Sequence, residues 1–177
     1  QSCCSTDGEF ARHWLHGAHL MVDGGKMSKS LGNLYTLDDL AQRGYSAAEV
    51  RYTLISGHYR APLNFTFHSL DSARQALQKI AKFAHALAEK PGTSPAPSHE
   101  DLATAGKPGP FTEAWSLIND DLNVAGALGV VFGTINKTKP AALSNEEAQS
   151  LQSGLHFILD ALGITLPELQ DSSAVEI

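Results

Sequence analysis

Gly24-Gly25-Lys26-Met27-Ser28-Lys29-Ser30-Leu31-Gly32-Asn33 is the stretch from which the rest of the chain is read. Two lysines three positions apart sit among small hydroxyl side chains, with glycine on either side. Glycine leaves a backbone free to turn tightly and to enter the left-handed region. An ammonium on a long stem is a compact point charge suited to phosphate oxygens. The N–H groups of a Gly/Ser-rich turn add further donors for an anion. The residues alone describe a mobile phosphate clamp; the plain alternative is a solvated loop that merely carries two lysines.

Outward from this loop, bulk properties narrow the class. A chain of 177 residues makes one ordinary domain or two small ones. With 42% hydrophobic and 18% charged residues it can bury a core and does not read as disordered. No apolar run approaches a membrane span, and no signal peptide opens the chain. A start at Gln1 suggests a fragment or a processed chain. The only cysteines, Cys3 and Cys4, are adjacent and offer no disulfide framework, so a reducing cytoplasm is expected. The net charge of -6 argues against nucleic acid, but its distribution does not. From Lys26 to Lys90 there are nine Lys/Arg against five Asp/Glu; from Pro91 to Ile177 there are three against eleven. The basic half is the one with the lysine loop, which is compatible with RNA and ATP phosphates meeting it there.

Along the chain the periodicity is helical almost throughout. Phe10, Trp14, Leu15 and Ala18 predict a helix over 9–19, and Leu20-Met21-Val22 a short strand that delivers the loop. His13, His16 and His19 would share a helix face there, a spacing that can hold a metal, but no carboxylate or CxxC partner accompanies them. No metal site is therefore assigned. Thr36-Leu37-Asp38-Asp39 starts one helix, which stops near Gly44. The capping box Ser46-Ala47-Ala48-Glu49 starts a second, running through Val50, Leu54 and Ile55 to Gly57. Beyond it, His58 and Arg60 either cap the negative helix end or contact RNA. The longest helix runs from Thr66 or His68 to about Lys90 and buries Leu70, Ala73, Leu77, Ile80, Ala84 and Leu87. Arg74, Lys79, Lys82 and His85 fall on its other faces, which are either a solvated surface or a basic strip for an RNA stem.

Residues 91–110, headed by Pro-Gly-Thr-Ser-Pro-Ala-Pro-Ser, read as a flexible connector. Helical spacing resumes at Phe111, Trp115 and Ile118. Asn123 caps a further helix with Val124, Ala127, Leu128, Val131 and Ile135 on its apolar face, and Gly126, Gly129 and Gly133 are expected to permit close helix packing. Asp120, Asp121 and Asn123 read as that helix's N-terminus in preference to a cation site. Ser144-Asn145-Glu146-Glu147 opens the last helix, which passes Leu151, Leu155, Ile158 and Leu162 to a stop at Gly163. From Thr165 onward a frayed polar tail is expected.

Lys26-Met27-Ser28-Lys29-Ser30 also resembles, without substitution, the KMSKS signature of class I aminoacyl-tRNA synthetases. Its surroundings are similar to the cysteinyl-tRNA synthetases in particular: Trp14-Leu15-His16, Ser30-Leu31-Gly32-Asn33, Ala48-Glu49-Val50-Arg51-Tyr52, Ser56-Gly57-His58-Tyr59-Arg60 and Asp120-Asp121-Leu122-Asn123. The resemblance implies a mainly α chain: an antiparallel, anticodon-binding-like helical bundle preceded by the strand-containing end of a Rossmann-type catalytic domain. It divides the chain into catalytic-domain end (1–35), stem-contact junction (36–65), tRNA-binding bundle (66–165, with its linker at 91–110) and tail (166–177). It implies a ligase that uses ATP, with magnesium, to attach cysteine to tRNA(Cys). Lys29 and Lys26 would be the catalytic cations. Ser28, Ser30 and Met27 would complete the ATP-binding loop, with Met27 anchored in apolar surface, and Arg60, Arg74 and Lys82 are candidate tRNA contacts. Zinc belongs to the family, its ligands expected in segments outside this chain. So is the His-x-Gly-His half of the ATP site, and the chain alone is expected to be inactive. No membrane partner is implied, and a monomer is the default. Two other readings stay open: a ligase joining cysteine to an amino sugar, and a non-catalytic helical RNA-binding or interaction module.

Overall fold

Residues 11–169 are described by a computed structural model, in which helices dominate and a small three-stranded sheet lies near the N-terminal side. Strand β1 (Leu20–Val22) turns back into β2 (Gly25–Lys26) and pairs on its other side with β3 (Leu63–Phe65). The hairpin is antiparallel, with Met21 opposite Lys26; the β1–β3 pair is parallel, with Met21 opposite Asn64. Asp23 and Gly24 make the turn at φ of +49° and +76°. Two successive left-handed residues form the tight turn whose twist suits a hairpin, and Asp-Gly is a preferred pair for it.

Helices α1 (Leu37–Gln42) and α2 (Ala47–Ile55) fill the crossover between β1 and β3. Both begin with a reciprocal capping box, Thr36 with Asp39 and Ser46 with Glu49, so their starts are fixed by local hydrogen bonds. Helix α3 (Phe67–Ala88) leaves β3 directly from a third cap at Thr66. Its first turns contribute Leu70 to a small cluster with Val22, Leu40, Val50 and Phe65. Its later turns contribute Leu77, Ile80, Phe83 and Leu87 to a larger core with Phe111, Val131, Leu155 and Ile158. The predicted stripe of α3 is buried at every position.

Of the remaining helices, α4 (His99–Ala105), α5 (Thr112–Asn119), α6 (Val124–Lys137) and α7 (Asn145–Ala161), the last three pack around that larger core, and α4 lies against α7. Arg51 of α2 donates through Nε to the carbonyl of Leu162 at 2.7 Å, satisfying a carbonyl at the end of α7 and joining it to the loop-bearing part. Among the described residues no helix is long and apolar enough to cross a membrane.

Several expectations change. Residues 11–19 are not helical. Their backbone pairs instead with the segment before β3, Ala18 N–H donating to the Tyr59 carbonyl (2.7 Å) and Leu63 N–H to the His19 carbonyl (3.2 Å). Trp14 and Leu15, which would have formed the helix's apolar face, are two-thirds exposed. Within 91–110, read as connector alone, Ser98 and Asp101 form a capping box for α4, which buries Leu102. On α2 the buried residues are Glu49, Val50, Tyr52 and Thr53, while Leu54 is exposed. Gly129 and Gly133 do not mediate close packing, since a Cβ at either would meet nothing within 4 Å. In the described part of the tail, Leu166 packs on the larger core. Residues 1–10, with Cys3, Cys4 and the expected helix start, and 170–177 lie outside the described residues.

The glycines give a test with opposite signs. A Cβ on Gly154 of α7 would lie 2.5 Å from the Pro108 carbonyl oxygen, whereas Gly129 faces open space. Gly129→Ala should stabilise the chain by about 0.5–1 kcal/mol through helix propensity. Gly154→Ala should destabilise it by about 1–3 kcal/mol through overpacking. Urea unfolding of the two variants checks both.

Candidate functional site

The lysine loop is built on the β1–β2 hairpin. Lys26 ends β2 with its side chain exposed, and Lys29–Leu31 form one 3-10 turn closed by Leu31 N–H on the Ser28 carbonyl (3.2 Å). Of Lys29 the structure describes the backbone, which opens that turn; its side chain lies outside the description. Ser28 and Ser30 hydroxyls share a hydrogen bond of 2.7 Å. Met27, half-buried, packs against the small cluster beside Tyr35, Tyr45 and Phe67, so the loop is pinned to apolar surface at its second residue.

Two asparagines, to which sequence reading gave no role, hold this loop. Asn64 of β3 accepts the Gly24 N–H at 2.8 Å and fixes the hairpin turn to the sheet. Asn33 reaches back with both ends of its amide, accepting from Ser28 N–H (2.9 Å) and donating to the Lys26 carbonyl (3.1 Å). Where the loop leaves toward α1, an open hollow of about 500 Å³ is lined by Leu34, Tyr35, Asp39, Gln42 and Arg43. Arg43 lies over the rings of Phe67 (4.8 Å) and Tyr35 (5.3 Å), a cation held by stacking.

The candidate RNA contacts are apart from the loop and differ from one another. Arg74 donates to both oxygens of Glu49 (2.7 and 3.3 Å) and to the Gly44 carbonyl (2.6 Å), and it stacks on Tyr45. Burial pushes the Glu49 carboxyl up, but the bonds from Arg74 and from Ser46 N–H outweigh it and hold the group below its ordinary value. Arg60 is bound too, donating to Asp121 through Nε (2.7 Å) and Nη2 (2.9 Å). Tyr59 Oη adds a 2.5 Å donation to the same carboxylate, and His58 Nε2 lies 3.8 Å from it. His58 and Arg60 thus converge on Asp121 and do not cap α2. Lys82 is exposed on α3 and makes no hydrogen bond among the described residues.

Asn123 is the N-cap of α6, accepting from Gly126 N–H at 2.9 Å, as its position before the apolar run predicts. Asp121 and Leu122 ahead of it take left-handed φ of +56° and +55°. Such backbone is costly for side-chain-bearing residues, least so for Asp, and here it turns the carboxylate onto Arg60 and Tyr59. Among the described residues, no three His, Cys, Asp or Glu side chains come together to hold a metal. With no helix at 11–19, the face on which His13, His16 and His19 would have met is not formed. The residues described do not fit a zinc centre.

Residues 1–75 match the family described as "tRNA synthetases class I (C) catalytic domain". The chain is similar to the cysteine–tRNA ligase of Opitutus terrae, 45% identical over 142 residues that make up 80% of this chain and 28% of the relative. The cysteine–tRNA ligase of Chlamydia abortus is 42% identical over 154 residues, 86% of this chain and 31% of that protein. That of Chlamydia felis is 41% identical over 172 residues, 95% and 35% respectively. The similarity is to the cysteinyl-tRNA synthetases, over most of this chain. The chain spans about a third of the length of these curated relatives.

Asp121 offers a pH test. Hydrogen bonds from Arg60 and then Tyr59 hold its carboxyl well below the usual carboxylate range. Asp39, Asp101 and Glu147 are also lowered, by hydrogen bonds with the helix caps they serve. A carboxyl lowered in the folded state contributes stability above its unfolded pKa, about 4, and loses it as pH falls toward the folded value. Melting temperature should begin to slip below about pH 6.5, where burial has lowered the pKa of His156, and decline more steeply below about pH 5. Asp121→Asn should lower the neutral-pH value and make the acid decline shallower.

Proposed function

We propose that the chain supplies the KMSKS loop and the adjoining helical region of a cysteine–tRNA ligase, the enzyme that activates cysteine with ATP and transfers it to tRNA(Cys). The observation that carries this reading is the loop itself: an unsubstituted Lys-Met-Ser-Lys-Ser on a hairpin, beside two serine hydroxyls, in a chain similar to the cysteinyl-tRNA synthetases. The relatives named above join cysteine to tRNA, which favours tRNA over an amino sugar as acceptor.

In the first half-reaction a carboxylate oxygen of cysteine attacks the α-phosphorus of ATP. The bond from that phosphorus to the bridging oxygen breaks, and pyrophosphate leaves with the electron pair. Negative charge grows on the leaving oxygens, so ammonium groups of Lys29 and Lys26 that close on them lower the barrier more than they strengthen ground-state binding. Ser28 and Ser30 are placed to hold the turn or donate to phosphate oxygens, and Met27 keeps the loop seated on the small cluster. The ribose hydroxyl at the tRNA 3′ end then takes the cysteinyl group from the adenylate, releasing AMP.

On this reading, residues 1–35 belong to the Rossmann-type catalytic domain, 36–65 form the junction along the acceptor stem, and 66–165 are the antiparallel tRNA-side bundle. Lys82 is the strongest of the three candidate phosphate contacts, because Arg60 and Arg74 are already held by carboxylates. A contact of this kind contributes affinity without base specificity.

In the full-length enzyme, Lys29→Ala should lower ATP–pyrophosphate exchange by about 10²-fold or more, the scale for removing a charge-stabilising group from a transition state. The chain by itself should give no exchange above background. Exchange that survives Lys29→Ala undiminished would refute the assignment of the loop.

A further inference from the structure

We infer that Asn33 is a positioning residue for adenylate formation: its amide ties Ser28 to Lys26 and sets the lysine loop before ATP arrives. This rests on the reading of the loop as the ATP clamp.

The geometry is specific to an asparagine. One planar group presents an acceptor to Ser28 N–H at 2.9 Å and a donor to the Lys26 carbonyl at 3.1 Å, as a neighbouring strand would. Aspartate keeps the acceptor and lacks the donor. Alanine lacks both, and glutamine sets the amide one methylene further out. Gly32, at φ of +65°, turns the chain so that residue 33 faces back onto residues 26–28.

Closing this ring has a mechanical result. The main chain is fixed on both sides of Met27, whose side chain is the loop's contact with the small cluster. The 3-10 turn then starts from a held residue, because Ser28 is both clasped by Asn33 and the acceptor for Leu31 N–H. Lys29, first residue of that turn, follows directly on the clasped Ser28. Without the clasp, the stretch from Lys26 to Asn33 has to be ordered during the reaction, and the entropy of that ordering adds to the barrier. The loop's cations act on charge that develops only in the transition state, so the loss falls on kcat and not on ATP binding.

The test uses the full-length enzyme with ATP–pyrophosphate exchange as readout. Asn33→Ala should lower kcat by about tenfold, the scale of two lost hydrogen bonds, with KM for ATP changed by less than about twofold. Asn33→Asp should not restore the rate. Lys29→Ala should cost less in the Asn33→Ala background than in the unsubstituted enzyme, because a disordered loop no longer aims its cation. Amide hydrogen exchange separates positioning from folding: Ser28 should exchange faster in Asn33→Ala while the amides of α3 keep their protection. An unchanged kcat for Asn33→Ala, restoration by Asn33→Asp, strictly additive effects with Lys29→Ala, or faster exchange throughout α3 would each overturn the inference. If Lys29→Ala itself leaves exchange intact, the clamp reading fails first; if Lys29→Ala abolishes exchange and Asn33→Ala is neutral, the clasp alone fails.

Discussion

The bond network around Glu49 and Arg74 is the constraint on which the arrangement depends. Glu49 is almost wholly buried, with 8% of its surface exposed. A carboxylate so placed is tolerable only with its charge matched and its lone pairs used. Both conditions are met: Ser46 N–H and the two Arg74 nitrogens surround it. Because Ser46 opens α2 and Arg74 belongs to α3, satisfying one buried group sets the angle between two helices. Arg74 extends the constraint to the chain between α1 and α2 through the Gly44 carbonyl and the Tyr45 ring.

With α2 and α3 locked, the other parts take their places in turn. The start of α3 closes on the sheet with Leu70 and its later turns enter the main helical core, while α2 gives Val50 to the one hydrophobic cluster and Tyr52 to the other. Arg51, on the outer side of α2, secures the end of α7. Asp121 and Arg60 form a second bridge on the surface, between the strand side and the loop before α6. The sheet that carries the lysines is thus held to the helical body by these polar contacts and by two shared helices, and the loop is the exposed part of a well-braced unit.

Much of this was legible in the residues. Capping boxes at Thr36, Ser46 and Ser144 and the apolar stripe from Leu70 to Leu87 predicted helices where they occur, because both signals are local. Failures came where a non-local partner decides. Phe10 to Ala18 has helical spacing, yet the backbones of Ala18 and His19 bond to Tyr59 and Leu63, which no spacing rule anticipates. Proline-rich composition between Pro91 and Pro110 outweighed the Ser98–Asp101 box, a signal present in the residues and passed over. The Asp23-Gly24 turn was likewise readable as a hairpin. The motif located the lysine loop, but Asn64 and Asn33 had no visible role until their distances to Gly24, Lys26 and Ser28 were known. The basic residues Arg60 and Arg74 looked alike with Lys82 in sequence; only the fold shows which have carboxylate partners.

The crossover between β1 and β3 also limits how far the lysines can travel. Between the end of β2 and the cap of α1 lie residues 27–35, a contour of roughly 30 Å when fully drawn out. Anchored at both ends, such a tether lets its midpoint move no more than about half that length. Met27 on the small cluster and Asn33 on Lys26 shorten the free arc further. On the proposed reading a nucleotide has to be delivered close to the sheet edge, since the arm cannot go out to fetch it.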